Sequence, residues 1–196
     1  DRNNTLNAHY KTHRVSHSLP NPNKVWVRPL REEGIEPHPG PRYIGKNLNG
    51  LASKGRFQQC MHSVNVEHRK KPVAAVLMQE HNLKPHLDTY SRLYARRHHR
   101  VLWLARYAPA AAAGGKGHGT AIAIPLDSIE KKPGESQDQA ESRVTKSLTG
   151  SKCGRVTCVT TLVNGKPMRL VSAYAPSTGV LRPHFFTSIL APHLSK

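Results

Sequence analysis

Six consecutive apolar residues, Val73-Ala-Ala-Val-Leu-Met, open after Pro72 and close abruptly on Gln79-Glu80. A run of that length bounded by a proline and a polar pair predicts a strand buried on both faces. Upstream, Tyr43–Leu48 predicts a short strand and Asn47-Leu-Asn-Gly-Leu51 a turn. Phe57, Cys60, Met61 and Val64 recur at helical spacing, which predicts one apolar helix face over residues 55–66. His68-Arg-Lys-Lys71 would close that helix with positive charge, as the helix dipole favours. Val101–Tyr107 and Gly119–Leu126 predict two more strands, separated by an Ala/Gly-rich loop. Residues 127–151 carry Glu, Ser, Lys and Gln without apolar period and predict a solvated insertion or mobile loop. Strands at 154–163 and 168–174 flank Asn164-Gly165, a pair suited to the positive φ angles of a two-residue hairpin. A last helix is expected from Pro183, with Phe186, Ile189, Leu190 and Leu194 as its apolar face.

This order predicts a mixed α/β fold, a sheet with helices packed on it, and no internal repeat. Residues 1–41 differ in kind. They are polar and rich in Asn, His and Pro, with Val25-Trp-Val27 as the lone apolar patch. Such a stretch buries too little to fold by itself, so it reads as a basic arm that is disordered or ordered by a partner. The body of the domain runs over 42–196.

Charge narrows the partner. Thirty Lys and Arg stand against twelve Asp and Glu in 196 residues, a formal net charge of +18. That balance points to a polyanion, nucleic acid before an anionic membrane surface. No apolar run approaches the about 18 residues that cross a bilayer, and no secretory leader is visible, so a membrane is not expected as a partner. The chain opens at Asp1, not methionine, which reads as a processed product or an internal piece. Cys60, Cys153 and Cys158 form neither a disulfide framework nor a zinc pattern, and the odd count suits a reducing, intracellular compartment. Residues 151–196 hold six Lys or Arg and no acid, so carboxylate chemistry must come from upstream.

Two dense basic stretches are the candidate nucleic-acid contacts: Arg69-Lys70-Lys71, and Arg92, Arg96, Arg97 and Arg100 with Tyr94 among them. Arginine forks suit phosphates and a tyrosine can stack on a base, although either stretch could equally be a solvated face. Glu80 is the sharpest candidate. A carboxylate at the C-terminal end of a buried strand, where open α/β sheets place ligands, suggests a cation facing a phosphate; the plain alternative is a solvated acid at a strand end. His81 is expected to face solvent and not to act as a ligand.

Asn47-Leu-Asn49-Gly-Leu51, Leu77-Met-Gln-Glu80, the Gly119-Thr-Ala-Ile-Ala-Ile strand, Gly154-Arg155-Val and Val171-Ser-Ala-Tyr174-Ala-Pro176 follow one another in an order that resembles the endonuclease/exonuclease/phosphatase superfamily. The resemblance is to the apurinic-type endonuclease domain of non-LTR retrotransposons, and it covers the N-terminal part of such a domain. It implies a partial sandwich of that type, Mg²⁺ as cofactor, Glu80 as metal ligand, and Asn47 and Tyr174 at the metal or the scissile phosphate. It implies for Arg155 a role in structure or DNA contact. Without it, Asn47 and Asn49 read as turn residues and Tyr174 as a strand aromatic. Gly34-Ile-Glu-Pro-His-Pro-Gly-Pro41 resembles a degenerate 2A-type peptide, with Gly34 and His38 off the usual pattern; a Pro/Gly linker is the other reading.

The pattern breaks downstream. The family's Gly-Asp-Phe-Asn-type and Ser-Asp-His-type motifs, which supply its base, are not in this sequence, and Ser177 stands where the family has Asn. The expectation is therefore a DNA endonuclease-type fragment, inactive as it stands. The alternative is a non-enzymatic nucleic-acid-binding or structural component, on DNA by ancestry or on RNA in a ribonucleoprotein. A nuclear location follows from the ancestry, an organelle or ribonucleoprotein from the alternative. A half-fold should leave a sheet edge unpaired and an apolar face open, for a protein partner or further chain to complete.

Overall fold

The computed structural model describes residues 41–51, 53–109 and 119–194. The arm except Pro41, the 2A-like stretch before it and most of the Ala/Gly loop lie outside these residues. Among the described residues, seven strands form two sheets. In the first, β1 (Arg42–Asn47) lies parallel to β2 (Val73–Gln79), followed by β4 (Gly119–Pro125) and β3 (Val101–Tyr107), both antiparallel to their neighbours. In the second, β5 (Thr149–Gly150), β6 (Val156–Val163) and β7 (Lys166–Ala173) run antiparallel in sequence order.

Alternation along the strands divides the core. Val76, Met78, Trp103, Ala121 and Ala123 point to one side of the first sheet, where α1 (Lys54–Lys70) lays Phe57, Cys60, Met61 and Val64 on them. Leu102, Leu104, Ile122 and Ile124 point to the other side and meet Val159 and Leu170 of the second sheet. The result is a sandwich with helices outside, the mixed α/β arrangement expected. Burying one such side chain stabilises by about 1.5–3 kcal/mol, so these two layers dominate the fold's stability.

Hydroxyls pin the two sheets at one end. Thr157 Oγ1 donates to the Thr120 carbonyl at 2.8 Å and Ser172 Oγ to the Met78 carbonyl at 2.8 Å, all four residues being buried. A buried hydroxyl costs energy unless it is bonded. These bonds therefore fix where β6 and β7 sit along β2 and β4.

Two expectations need correction, and one element was not foreseen. Residues 127–151 are not a loop: α3 (Gln137–Lys146) forms there, opened by a capping box of Ser136 with Gln139, and buries Ala140, Glu141 and Val144. Its buried face is short and includes a carboxylate, so no apolar period showed. The Arg-rich stretch, to which the sequence pattern assigns no element, is helical, α2 (Asp88–His99), and packs Tyr90, Tyr94 and Ala95, a face of aromatics and one alanine that a polar-looking sequence conceals. The last helix begins as α4 (Arg182–His184) and widens into π-type turns over Phe185–Leu190. Ile189 and Leu190 pack inward as expected, but Phe185 and not Phe186 is the buried anchor, and Phe186 and Leu194 are exposed.

Among the described residues β7 pairs with β6 alone, so its other side is an open edge. The outer face of the second sheet is partly covered: Phe185, Ile189 and Leu190 lie on Val156, Cys158, Val171 and Ala173. No described helix is long and apolar enough to cross a membrane. All three cysteines are free, and burial pushes the Cys60 thiol up to about 11.

Candidate functional site

Parallel pairing carries β1 and β2 to a common end, where Asn47 stands opposite Gln79. The pairing continues beyond the strands: Leu48, Gly50 and Leu51 donate their amides to the carbonyls of Gln79, Glu80 and His81 at 2.9, 2.8 and 2.6 Å. To make this turn, Asn49, Glu80 and Asn82 adopt positive φ of 47°, 54° and 53°. Asparagine tolerates that conformation; glutamate rarely takes it. Asn47 Oδ1 holds the loop by accepting from the Asn49 amide at 3.1 Å. Strain of order 1–3 kcal/mol at Glu80 persists only because the neighbours over-determine it.

His81 is the chief neighbour, and the expectation that it faces solvent is wrong. It is fully buried, packed edge-on against Trp103 and Tyr107. Its Nδ1 accepts from the Leu83 amide at 3.0 Å, so the proton sits on Nε2 and is donated to the Arg106 carbonyl at 3.0 Å. Burial pushes its pKa down to about 4, which keeps the ring neutral. Gly119 makes room, since a Cβ there would lie 2.3 Å from the imidazole. Both ring nitrogens are engaged, so His81 is a strut and neither a ligand nor a base.

The second sheet brings its own groups to the same end. Tyr174 follows β7 and hydrogen-bonds the Glu80 carboxylate; burial first, then that carboxylate, push the phenol up to about 12. Arg155 precedes β6, accepts the Tyr174 amide on its carbonyl at 2.8 Å, and sets its guanidinium 5.4 Å from the Tyr174 ring centre. Asn47, Glu80, Tyr174 and Arg155, four residues spread over more than a hundred positions, therefore meet at one end of the sandwich.

The other sequence candidates lie elsewhere. α1 returns the chain to the start of β2, so Arg69, Lys70 and Lys71 are at the opposite end, the length of a seven-residue strand away. That is about 23 Å at 3.3 Å per residue. The end of α2 is there too, because Val101 pairs with Pro125 at the far end of β4. Much of its charge is already matched. Arg96 pairs with Glu141 at 2.7 Å and Asp138 at 2.6 Å, and Arg100 with Asp127 at 2.7 Å. Arg92 begins the helix on the Glu80 side and pairs with Asp88 at 3.2 Å.

This distribution was not legible in linear counts. Glu80 and Asp88 are the described carboxylates on the Glu80 side, which also carries Lys46, Lys54, Arg56, Lys84, Arg92, Arg106, Lys152 and Arg155. Glu67, Asp127, Glu130, Glu135, Asp138 and Glu141 sit toward the other end. Cations in no ion pair among the described residues thus stand at both ends, Lys54, Arg56, Lys84, Lys152 and Arg155 on the Glu80 side and Arg69, Lys71, Arg97, Lys131, Lys132 and Lys166 at the other.

Among the described residues no three His, Cys, Asp or Glu side chains stand together as a metal cage. Glu80 offers one carboxylate, Asn47 Oδ1 keeps a free lone pair, and Asn82 Oδ1 is buried in the same loop without a partner. A set of hard oxygens with a single charge suits Mg²⁺, which keeps most of its waters and takes one or two carboxylates, and does not suit zinc.

No family model matches the chain, and no curated protein matches it. Solved structures do. The chain is similar to the endonuclease domain of TRAS1, a telomere-specific non-LTR retrotransposon, at 16% identity over 76% of this chain and 52% of that one, with a TM-score of 0.43. It is similar to humanized D. rerio TDP2 at 16% identity, over 71% and 49% of the two chains, with a TM-score of 0.38. A third is the AP endonuclease LMAP from Leishmania major, at 13% identity over 94% and 57%, with a TM-score of 0.47. The chain thus spans about half the length of the solved structures it matches, between 49% and 57%. These neighbours have the endonuclease/exonuclease/phosphatase type of fold, the type that the motif order of the sequence resembles.

Proposed function

We propose that this chain binds the phosphodiester backbone of nucleic acid at its Glu80 end, with Glu80 and Asn47 as the protein's ligands to Mg²⁺. The observation that carries the reading is the Glu80–Tyr174–Arg155 cluster, built from both sheets. Mg²⁺ there would bridge a carboxylate to phosphate oxygens and offset their charge. Arg155, stacked on Tyr174, presents a fixed cation beside the same position. The Tyr174 hydroxyl orients the Glu80 carboxylate.

Hydrolysis needs more than this. A base must take a proton from water, and something must stabilise the leaving oxygen. The phenol of Tyr174 stays protonated at neutral pH, and His81 has both nitrogens occupied. No Asp or Glu follows Glu141 in this sequence. The chain by itself therefore holds a backbone without cutting it, and DNA, by the motif resemblance, is the first ligand to test. Nicking of supercoiled plasmid in Mg²⁺ is the check: wild type binds and does not nick. Metal-dependent nicking that disappears in Glu80→Ala would overturn this reading in favour of a competent endonuclease.

A further inference from the structure

Beside the Glu80 loop lies a cleft of about 410 Å³ between the start of α2, the end of β3 and the loop after β5. Its charged groups are Arg92, Arg106, Lys152 and Asp88. Asp88 is already satisfied, accepting from Tyr107 Oη at 2.7 Å and pairing with Arg92 Nε at 3.2 Å. Arg106 is not. One of its terminal nitrogens donates to the Leu148 carbonyl at 3.3 Å, but its Nε is buried without a partner. A buried donor left unmade costs about 1–3 kcal/mol, so an acceptor is wanted there. Gly150 allows the arginine to lie where it does, since a Cβ would come within 2.9 Å of Arg106 Cγ. Lys152 is exposed at the rim and is in no ion pair among the described residues.

We propose that this cleft is a second phosphate subsite, taking a backbone phosphate of the same nucleic-acid strand that passes Glu80. This rests on the nucleic-acid reading above. β3 is two strands from β2 in the sheet order, a lateral step of about 10 Å at 4.8 Å per strand. The two subsites are mechanically joined, because the carbonyl of Arg106 is the one that receives the His81 Nε2 proton. A phosphate seated on Arg106 thus bears on the residue that holds the Glu80 turn.

The test is anisotropy of a fluorescein-labelled 20-bp DNA duplex across salt, with wild type, Lys152→Ala, Arg106→Gln and Lys166→Ala, the last in the hairpin turn at the opposite end. Removing one phosphate contact lowers the log–log salt slope by about 0.9, so wild type should lose about 3.5-fold more affinity than Lys152→Ala between 50 and 200 mM salt. Arg106→Gln should behave likewise, and Lys166→Ala should follow wild type. If wild type binds steeply with salt while Lys152→Ala and Arg106→Gln keep the full slope, the subsite is wrong and the Glu80 reading stands. If no protein binds the duplex at low salt, both fail. Inorganic phosphate separates the sources. Stabilisation of wild type by phosphate that Lys152→Ala abolishes, with duplex binding unchanged, would make the cleft a free-phosphate site and overturn the proposal.

Discussion

His81 makes the stability of this fold depend on pH in a window that no carboxylate shares. Its folded pKa lies near 4, against about 6.5 for an unperturbed histidine, because the ring is buried and both nitrogens are committed to backbone partners. A depressed histidine pKa means that the unfolded chain takes up a proton which the folded one refuses. Stability is therefore full above about pH 6.5 and falls as the pH drops toward 4, at about 1.4 kcal/mol per unit, for a total of about 3 kcal/mol. The His99 pKa is also lowered, first by burial, and acts in the same direction. Arg143 holds Glu135 down at about 2, and Arg42 and Lys70 hold Glu67 below its usual value, so those groups act at lower pH. Urea unfolding followed by the fluorescence of Trp103, whose ring lies edge-on to His81 at 5.9 Å, isolates the contribution. Between pH 6.5 and 4.5 the wild type should lose about 2–3 kcal/mol more than His81→Gln, a side chain that can still accept from the Leu83 amide. Equal losses in the two proteins would refute the assignment of His81 as the buried neutral strut.

Two further outcomes follow from packing. Gly119→Ala places a methyl 2.3 Å from the imidazole, and should cost about 2–5 kcal/mol through overpacking and a broken His81 hydrogen bond; a shift in urea midpoint worth less than about 0.5 kcal/mol would contradict it. Arg96→Met leaves the Glu141 carboxylate, 8% exposed, without its arginine. It should destabilise by about 1–3 kcal/mol, and Arg96→Met with Glu141→Leu should recover most of that. Failure of the double variant to recover would mean that Asp138 and not Glu141 is the partner that matters.

Most of the sandwich could be read from the chain because its strands carry local signals. Val73–Met78, Gly119–Ile124 and the Asn164-Gly165 hairpin announce themselves by apolar run or turn chemistry. α2 and α3 escaped because their buried faces are built from Tyr90, Ser91, Tyr94, Ala95, Ala140 and Glu141, residues that average out as polar. Glu80 and Tyr174 stood out as strand-end residues, but nothing linear could reveal that the Thr157 and Ser172 hydroxyls bring them together. Charge along the chain showed density but not pairing. Density along the chain pointed to Arg96, Arg97 and Arg100; in three dimensions Arg96 and Arg100 are matched by acids from α3 and the end of β4, while Arg97 is in no ion pair among the described residues. His81 shows the same limit: a histidine beside a glutamate looks exposed until Gly119, thirty-eight residues on, is seen to make space for it.

The central claim is that Glu80 is where a cation meets the backbone, and one comparison addresses it: duplex affinity of wild type and Glu80→Gln, with and without Mg²⁺, at constant ionic strength. Without the metal, the Glu80 carboxylate repels phosphate, so the glutamine variant should bind more tightly than wild type. With it, the order should reverse, because the wild type alone keeps the carboxylate that anchors the ion beside the phosphate. If Mg²⁺ changes the affinity of both proteins by the same factor, Glu80 is a solvated acid at a strand end and the site proposed for it does not exist.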